Sequence, residues 1–323
     1  MKDYAILYNP TSAGGKSKKD FDYAIKCLND LGVKYKLFKS EYAGHMIELA
    51  QQLAKDGYNV IGAGGDGTCN EVFNGAFLSN SGALCGFIPM GSGNDVPGAI
   101  GIKPDIKRAC EIIAEGYSRN SDIGLAITDE GIKRYFLGIG SQGFDAEVTR
   151  RANLGKKGPK NYVTTTLKTI IRWKNKDVKI TMDNNKYEGN SNCIAVGNGP
   201  SYGGGMYICS KARINDGLFF IAVVDMSKLK LLREFNKMYS ASVYPNTNVY
   251  DFESKNVRIE MKNPEDEPYI CQVDGEVLGK IPVNYETIKD GFEFICPKID
   301  EIAEAFKEKY GRYYYEDLKV QNK

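Results

Sequence analysis

The sequence predicts two domains, an α/β domain followed by a mainly antiparallel β-sandwich. Its 323 residues exceed the usual size of a single domain. In residues 1–124, strand-like runs alternate with helical patterns, which is the order of a parallel sheet covered by helices. Residues 125–298 carry short apolar runs separated by Gly, Asn and Asp, which are typical of a sandwich or barrel. An amphipathic tail, about 299–323, is expected to join the first domain as a helix.

The elements of the first domain are predicted in an alternating order. The predicted strands cover 4–9, 33–40, 59–63 and 83–89. The predicted helices cover 17–31, 44–55, a segment from about 69, and 105–115. Gly32 and Gly57 follow two of these helices, where glycine commonly ends a helix.

The second domain is predicted from a series of strand-like runs. They are DIGLAIT, RYFLGIG, DVKITMD, SNCIAVGN, LFFIAVV, NVRIEM, YICQVDGE and FEFICP.

Composition limits the classes of function. Lys and Arg total 43 against 41 Asp and Glu, so the net charge of +2 gives no global attraction to nucleic acid. No run reaches the roughly 18 apolar residues of a membrane span, and no signal peptide is recognised, so we expect a cytoplasmic protein. The eight cysteines form no C-x-x-C pair, which favours reduced core thiols. A single histidine, His45, disfavours a His-rich zinc site.

The stretch GAGGDGTCNEVFNG, residues 62–75, contains a G-x-G-x-x-G pattern. A dinucleotide site would need an acidic residue about 20 positions further on, at the end of the next strand. The first acid after that strand is Asp95, inside another glycine-rich turn, so the NAD-binding interpretation is disfavoured. Thr68 and Glu71 are predicted to form a capping box that starts a helix.

Asp66 lies inside the first glycine turn. A carboxylate beside phosphates fits if a divalent cation bridges the two, or if it accepts a proton from an attacking hydroxyl. Both roles belong to phosphoryl transfer. Alternatively, a single Asp-Gly pair simply forms a tight surface turn.

Two further loops support a nucleotide site. N-P-T-S-A-G-G-K-S at 9–17 ends like a P-loop, but Pro10 occupies the required glycine position. M-G-S-G-N-D at 90–95 again places a carboxylate in a glycine turn. Open parallel sheets bind ligands at the carboxyl ends of their strands, where these loops are predicted to lie.

Several motifs together resemble the diacylglycerol kinase catalytic family, which includes bacterial lipid kinases and sphingosine and ceramide kinases. They are N-P-T-S at 9–12, G-G-D-G-T and N-E-V-x-N-G within 64–75, G-S-G-N-D at 91–95, S-D-I-G at 121–124, G-F-D-A at 143–146, G-G-G-M at 203–206, A-R-I-N-D-G-L at 212–218 and V-D-G-E at 273–276. The resemblance covers nearly the whole chain. It implies an ATP-binding α/β domain, a β-sandwich for the lipid substrate, and a requirement for Mg²⁺.

The resemblance also implies roles for individual residues. The ATP-contacting positions are Asn9, Thr11, Ser12, Ser40, Gly64, Gly65, Asp66, Gly67, Thr68, Glu71, Ser92, Asn94 and Asp95. Asp66 and Asp95 match carboxylates that act with Mg²⁺. For the catalytic base, Glu276 and Asp274 rank ahead of Asp66. A structural Mg²⁺ site is implied at the side chain of Asp216 and the carbonyls of Arg213 and Leu218. From the residues alone, Asp216-Gly217 and Asp274-Gly275 are equally typical of hairpin turns.

A basic segment suggests that the protein binds a membrane surface, where it would meet a lipid substrate. Residues 150–176 carry nine Lys and Arg and no acid. Tyr162, Ile170, Ile171 and Trp173 lie among them, and this combination suits peripheral contact with an anionic inner membrane face. The alternative is a connecting helix that packs on the sandwich with its charges in solvent.

These observations predict an ATP-dependent lipid kinase, with diacylglycerol as the first acceptor and phosphatidic acid as the product. Phosphatidylglycerol or a sphingoid base are other acceptors. One alternative is an NAD kinase, which shares the G-G-D-G-T element, and another is a non-catalytic nucleotide- or lipid-binding protein. The expected partners are ATP and a lipid at the membrane surface, without nucleic acid. A homodimer is left open.

Overall fold

The computed structural model describes residues 3–9, 16–42, 44–154, 159–244 and 246–314. Within these, the chain forms two compact units. The first contains residues up to Ser121 together with Asp290–Gly311, and the second contains Asp122–Lys289 and continues from Arg312.

The described residues form strands and helices with the following bounds. The strands are β1 Tyr4–Tyr8, β2 Tyr35–Lys39, β3 Asn59–Gly64, β4 Cys85–Pro89, β5 Ser118–Thr128, β6 Lys133–Phe136, β7 Ile139–Gly143, β8 Lys176–Met182, β9 Lys186–Ser191, β10 Cys193–Gly197, β11 Phe219–Val224, β12 Val249–Ser254, β13 Asn256–Met261, β14 Ile270–Val273, β15 Glu276–Lys280 and β16 Val283–Ile295. The α-helices are α1 Lys16–Asp30, α2 His45–Lys55, α3 Asp66–Ser79, α4 Asp95–Ala99, α5 Ile106–Glu115, α6 Phe144–Leu154, α7 Pro159–Arg172, α8 Lys228–Glu234 and α9 Glu301–Tyr310, with a 3-10 helix at Phe235–Ser240.

The first unit is the predicted parallel α/β domain. Its strands pair in the parallel order β2–β1–β3–β4, and β16 joins β4 in parallel at Phe294. Side chains along β1, β3 and β4 are buried, as expected for a parallel sheet covered on both faces. Because the strands are parallel, the carboxyl ends of β1 to β4 lie along one edge of the sheet.

The second unit is the predicted antiparallel sandwich. One sheet has the order β12–β11–β10–β7–β14–β15. Strands β8, β9, β13 and the first part of β16 form antiparallel pairs, and β5 pairs with β6. One apolar cluster unites Ile180 of β8 and Val257 of β13 with Val196 and Phe219 of the six-stranded sheet. The prediction of an α/β domain followed by a β-sandwich is therefore confirmed.

A second apolar cluster covers the other face of the six-stranded sheet. It contains Phe144 and Val148 of α6, Ile170 of α7 and Leu231 of α8. Trp173, just after α7, packs against both clusters. Of the two interpretations of the basic segment, packing on the sandwich applies to Ile170, which is fully buried, and to Trp173, which is partly buried against both clusters. Ile171 is exposed, and the side chain of Tyr162 lies outside the described part.

The cysteines are free and buried, so the prediction of reduced core thiols is confirmed. The tail helix spans Glu301–Tyr310, and the end of the predicted tail segment, 315–323, lies outside the described residues. Among the described helices, none has both the length and the apolar character needed to cross a bilayer.

Candidate active site

The two glycine turns of the first unit meet at Asp66. This residue begins α3, and its Oδ2 accepts a hydrogen bond from the backbone N–H of Asn94 at 2.9 Å. Its Oδ1 accepts from the N–H of Val96, also at 2.9 Å. Between the same turns, the N–H of Met90 donates to the carbonyl of Gly64 at 2.8 Å. One carboxylate therefore joins loops that are 28 to 30 residues apart in sequence.

Asn94 fixes the second turn. Its backbone lies in the left-handed region, with φ at 58°. Its Oδ1 accepts from the N–H of Gly91 at 2.8 Å, and its Nδ2 donates to the carbonyl of Gly91 at 2.9 Å. A side-chain amide paired in this way with one backbone position holds the turn in a single conformation.

The glycines of these turns allow a close approach. A Cβ on Gly91 would lie 2.6 Å from the Cα of Gly65, so any side chain there would separate the loops. A Cβ on Gly93 would lie 2.7 Å from Oδ2 of Asp66 and 3.1 Å from Oδ2 of Asp95. The two carboxylates therefore converge beside the bare backbone of Gly93.

Burial and hydrogen bonding shift the pKa of Asp66 in opposite directions. Burial raises the pKa of Asp66, and the backbone N–H groups of Val96 and Asn94 partly offset that rise. Because Asp66 occupies the first turn of α3, helix N–H groups that no intrahelical carbonyl accepts lie beside it. This end of the helix is suited to an anion.

The predicted Thr68–Glu71 capping box is wrong. Helix α3 begins at Asp66, its N-cap is Gly65, and no side chain caps it. Because the helix starts earlier than predicted, Thr68 lies within the first turn. There its side chain packs over Gly64, where an added Cβ would meet it at 2.7 Å.

The other expected ATP-contacting residues follow the strands as predicted, where they are described. Ser40, at the end of β2, is buried and donates its N–H to the carbonyl of Tyr8 at 3.1 Å. Asn9 is half-buried after β1, and Ser92 and Gly67 are exposed in the two glycine turns. Glu71 is half-buried further along α3. Thr11 and Ser12 lie outside the described residues.

In the second unit, Asp274 lies in the tight turn between β14 and β15, and Glu276 is the first residue of β15. Asp274 and Gly275 both have positive φ, 46° and 84°, as a two-residue hairpin of this kind requires. The turn interpretation and the site interpretation thus apply to the same residues. The carboxylate of Asp274 accepts from three consecutive backbone N–H groups, those of Leu137 at 2.9 Å, Gly138 at 3.0 Å and Ile139 at 3.2 Å.

Glu276 is held differently. Its Oε1 forms an ion pair with Nη2 of Arg134. The Glu276 side chain is 45% exposed, whereas that of Arg134 is 18% exposed. Of the two acids, Asp274 is bound by three backbone N–H groups, whereas Glu276 is paired with one side chain. Sequence reasoning missed Arg134, because nothing in the local pattern RYFL distinguishes a strand arginine that pairs with a distant acid.

The expected metal site at Asp216 contains a second carboxylate. Oδ1 of Asp216 accepts from the N–H of Leu218 at 3.0 Å, and Oδ2 of Asp122 accepts from the N–H of Gly217 at 2.6 Å. The N–H of Asp122 donates to the carbonyl of Ile214 at 2.6 Å. Burial raises the pKa of Asp216, and the negative charge of Asp122 adds to that rise.

Excess negative charge in a loop that also carries backbone carbonyls fits a divalent cation. The described residues hold no group of three or more His, Cys, Asp or Glu side chains that could bind a metal ion, so carbonyls would have to complete the ligand set. The hairpin interpretation of Asp216-Gly217 is wrong, because the paired strands β10 and β11 are joined by the long connection 198–218. Asp122 belongs to the S-D-I-G motif, for which the family resemblance implied no individual role.

Asp145, from the G-F-D-A motif, is a further buried acid. Its Oδ2 accepts from the hydroxyl of Tyr202 at 2.9 Å, and its Oδ1 has no hydrogen-bond partner among the described residues. It lines a small, mostly apolar cavity with Phe144, Val148 and Met206. Burial raises its pKa to about 6, and the hydroxyls of Ser141 and Tyr202 partly offset that rise.

Comparison with known proteins identifies the family of both units. A family model described as the diacylglycerol kinase catalytic domain matches residues 3–126. A second, described as the YegS C-terminal NAD kinase beta sandwich-like domain, matches residues 138–296. A diacylglycerol kinase of Staphylococcus carnosus (strain TM300) is 30% identical over 298 residues, covering 91% of this chain and 94% of that protein. One from Staphylococcus aureus (strain bovine RF122 / ET3-1) is 29% identical over 296 residues, covering 90% and 91%.

Solved structures share the fold. A crystal structure of a diacylglycerol kinase from Bacillus anthracis str. Sterne aligns with a TM-score of 0.71 at 20% identity, covering 92% of this chain and 97% of that one. Another structure from the same organism has a TM-score of 0.73 at 23% identity, covering 92% and 98%. Since the sequence similarity extends along nearly the whole chain, the protein belongs to the diacylglycerol kinase catalytic-domain family and is a lipid kinase.

Proposed function

We propose that this kinase transfers the γ-phosphate of ATP to the free hydroxyl of a diacylglycerol and releases phosphatidic acid and ADP. The observation that carries the proposal is the pair of glycine turns joined through Asp66, with the carboxylate of Asp95 converging on the same point. The naming of the relatives as diacylglycerol kinases supports the choice of acceptor.

On the donor side, the first turn of α3 supplies N–H groups, and the bare glycines let the phosphates approach the backbone. Asp66 and Asp95 would hold Mg²⁺, which supplies charge neutralisation on the transferring phosphoryl group when bound. Asp66 already accepts two backbone hydrogen bonds. Its position therefore favours holding the loops and the cation over accepting a proton.

On the acceptor side, Glu276 is the proposed base. As the acceptor oxygen bonds to the γ-phosphorus, the bond from that phosphorus to the β,γ-bridging oxygen breaks, and the hydroxyl proton passes to the Glu276 carboxylate. Asp274 accepts three N–H groups and is the less available acid. We assign it the role of fixing the hairpin that carries Glu276.

A structural Mg²⁺ site is proposed at Asp216, with the carbonyls of Arg213 and Leu218 as further ligands. The nearby carboxylate of Asp122 and the raised pKa of Asp216 support it, because a divalent cation would compensate the accumulated negative charge.

Peripheral membrane binding is proposed for the surface where α7 meets α8. The side chains of Ile171 and Leu229 are 61% and 82% exposed. Nζ of Lys228 donates to the carbonyl of Ile171 at 2.8 Å, which brings the two helices together. The exposed Lys168 and Arg172 belong to the same basic segment. Apolar side chains surrounded by basic ones suit an anionic bilayer surface.

The test is transfer of labelled γ-phosphate from ATP, with Mg²⁺, to diacylglycerol, phosphatidylglycerol, sphingosine, ceramide and NAD. Wild type should label diacylglycerol, and Glu276→Gln should lower kcat by about 10²- to 10⁴-fold, the usual worth of a general base. Glu286→Gln, an exposed acid on β16, is the matched control and should remain active. Label only in NAD would transfer the assignment to an NAD kinase, and no label in any acceptor would favour a non-catalytic binding protein.

A further inference from the structure

The segment 134–139 holds both acids of the V-D-G-E motif. Backbone N–H groups of residues 137–139 bind the carboxylate of Asp274, and the side chain of Arg134 binds that of Glu276. Arg134 projects from β6, which pairs with β5 at Ala126, so the arginine lies on a strand anchored within the sandwich unit. One short stretch of chain therefore contacts both acids of this hairpin.

The contact between Arg134 and Glu276 is asymmetric. The guanidinium is largely buried, whereas the carboxylate is nearly half exposed. The ion pair uses Oε1 of Glu276, and Oε2 makes no hydrogen bond within the described ranges. A carboxylate gripped by one oxygen keeps the other available to accept a proton from a hydroxyl.

We infer that Arg134 is a positioning residue for Glu276, which it keeps oriented with Oε2 free for the acceptor hydroxyl. This inference rests on the proposed function. A hydrogen bond from a guanidinium on an anchored strand restricts the rotation of the acid, because the rigid plane of that group fixes the direction of its N–H donors. An exposed ion pair without this role would contribute little, either to folding or to the rate.

The experiment compares kcat for lipid phosphorylation and the KM for ATP in wild type, Arg134→Gln and Arg134→Lys. Arg134→Gln should lower kcat by about 10- to 100-fold, the scale of a misplaced catalytic group, and leave the KM for ATP unchanged. Arg134→Lys should restore only part of kcat, since an ammonium can donate a hydrogen bond but lacks the fixed plane of the guanidinium.

Two controls separate positioning from folding. Arg258→Gln removes another arginine of the same unit, which pairs with Asp129 at 3.0 Å, and it should leave kcat and the KM for ATP unchanged. In the Glu276→Gln background, Arg134→Gln should cause no further loss, because its effect passes through the acid.

The outcomes are distinguishable. The inference is overturned if Arg134→Gln keeps the wild-type kcat, if its KM for ATP changes as much as its kcat, or if the losses in the double variant simply add. The proposed function fails instead if wild type labels no lipid, and the inference then fails with it.

Discussion

Asp145→Asn should change how the stability of the sandwich unit depends on pH. Asp145 is 4% exposed, and burial raises its pKa from 3.8 to about 6. The folded chain therefore binds this proton more tightly than the unfolded chain does. The contribution of Asp145 to wild-type stability should be greatest below pH 4 and should be lost as the pH rises through 6, where the buried carboxylate becomes charged.

The magnitude follows from the two pKa values. The full difference of about two units corresponds to about 3 kcal/mol, and about 1.4 kcal/mol of it falls between pH 5 and pH 8. Asparagine does not titrate, so Asp145→Asn should gain about 1.4 kcal/mol relative to wild type over that interval. Any pH-independent effect of the asparagine amide on the free energy of unfolding cancels, because the quantity compared is the change in that free energy between pH 5 and pH 8.

Urea unfolding, followed by tryptophan fluorescence, measures this quantity. The chain has one tryptophan, Trp173, and it packs against both apolar clusters of the sandwich unit. Asp183→Asn is the matched control. The side-chain amide of Asn256 is the main cause that lowers the pKa of Asp183. Its contribution to stability is therefore complete above pH 4 and should not change between pH 5 and pH 8. A constant difference between wild type and Asp145→Asn over this range would refute the reasoning.

Two further predictions concern the glycine turns and the membrane surface. Gly93→Ala should lower kcat/KM for ATP by about 10²-fold, because its Cβ would displace the carboxylates of Asp66 and Asp95. Gly98→Ala, where an added Cβ meets nothing within 4 Å, should have no effect. Equal activity of the two variants would contradict the role of the turn. Ile171→Glu should reduce the fraction of protein that sediments with anionic vesicles by about tenfold or more. The substitution removes an apolar side chain from the bilayer contact and adds a negative charge that the anionic surface repels. Leu78→Glu, which changes an exposed leucine of the other unit, should bind like wild type, and equal binding by both variants would exclude this surface.

The sequence predicted the strands and helices of the first unit well, because local patterns decide them. Apolar periodicity marks the elements, and glycines such as Gly32 and Gly57, both with positive φ, mark the ends of helices. The start of α3 was placed too late because the Thr68 and Glu71 pair matches a capping box. The backbone instead enters the helix at Asp66, where the carboxylate finds N–H partners in a distant turn.

The orientation of α7 shows a different limit. Ile170, Ile171 and Trp173 are all apolar and lie close together in sequence, but successive residues of a helix point about 100° apart and cannot share one environment. Only the packed structure shows that Ile170 and Trp173 face the core while Ile171 is exposed. Composition therefore indicates that a basic, partly apolar helix exists, and tertiary contacts decide which of its residues can meet a membrane.

The remaining features that could not be predicted depend on contacts between residues that are far apart in sequence. Arg134 and Glu276 are 142 residues apart, and Asp145 and Tyr202 are 57 apart, so no local spacing connects them. Asp274 shows why a turn and a functional site cannot be distinguished from the sequence alone. Its positive φ makes the hairpin, and its carboxylate, accepting from residues 137–139, ties that hairpin to the segment that also carries Arg134. In the proposed mechanism, a turn former is therefore also a functional residue, because the rigid turn would hold Glu276 in place.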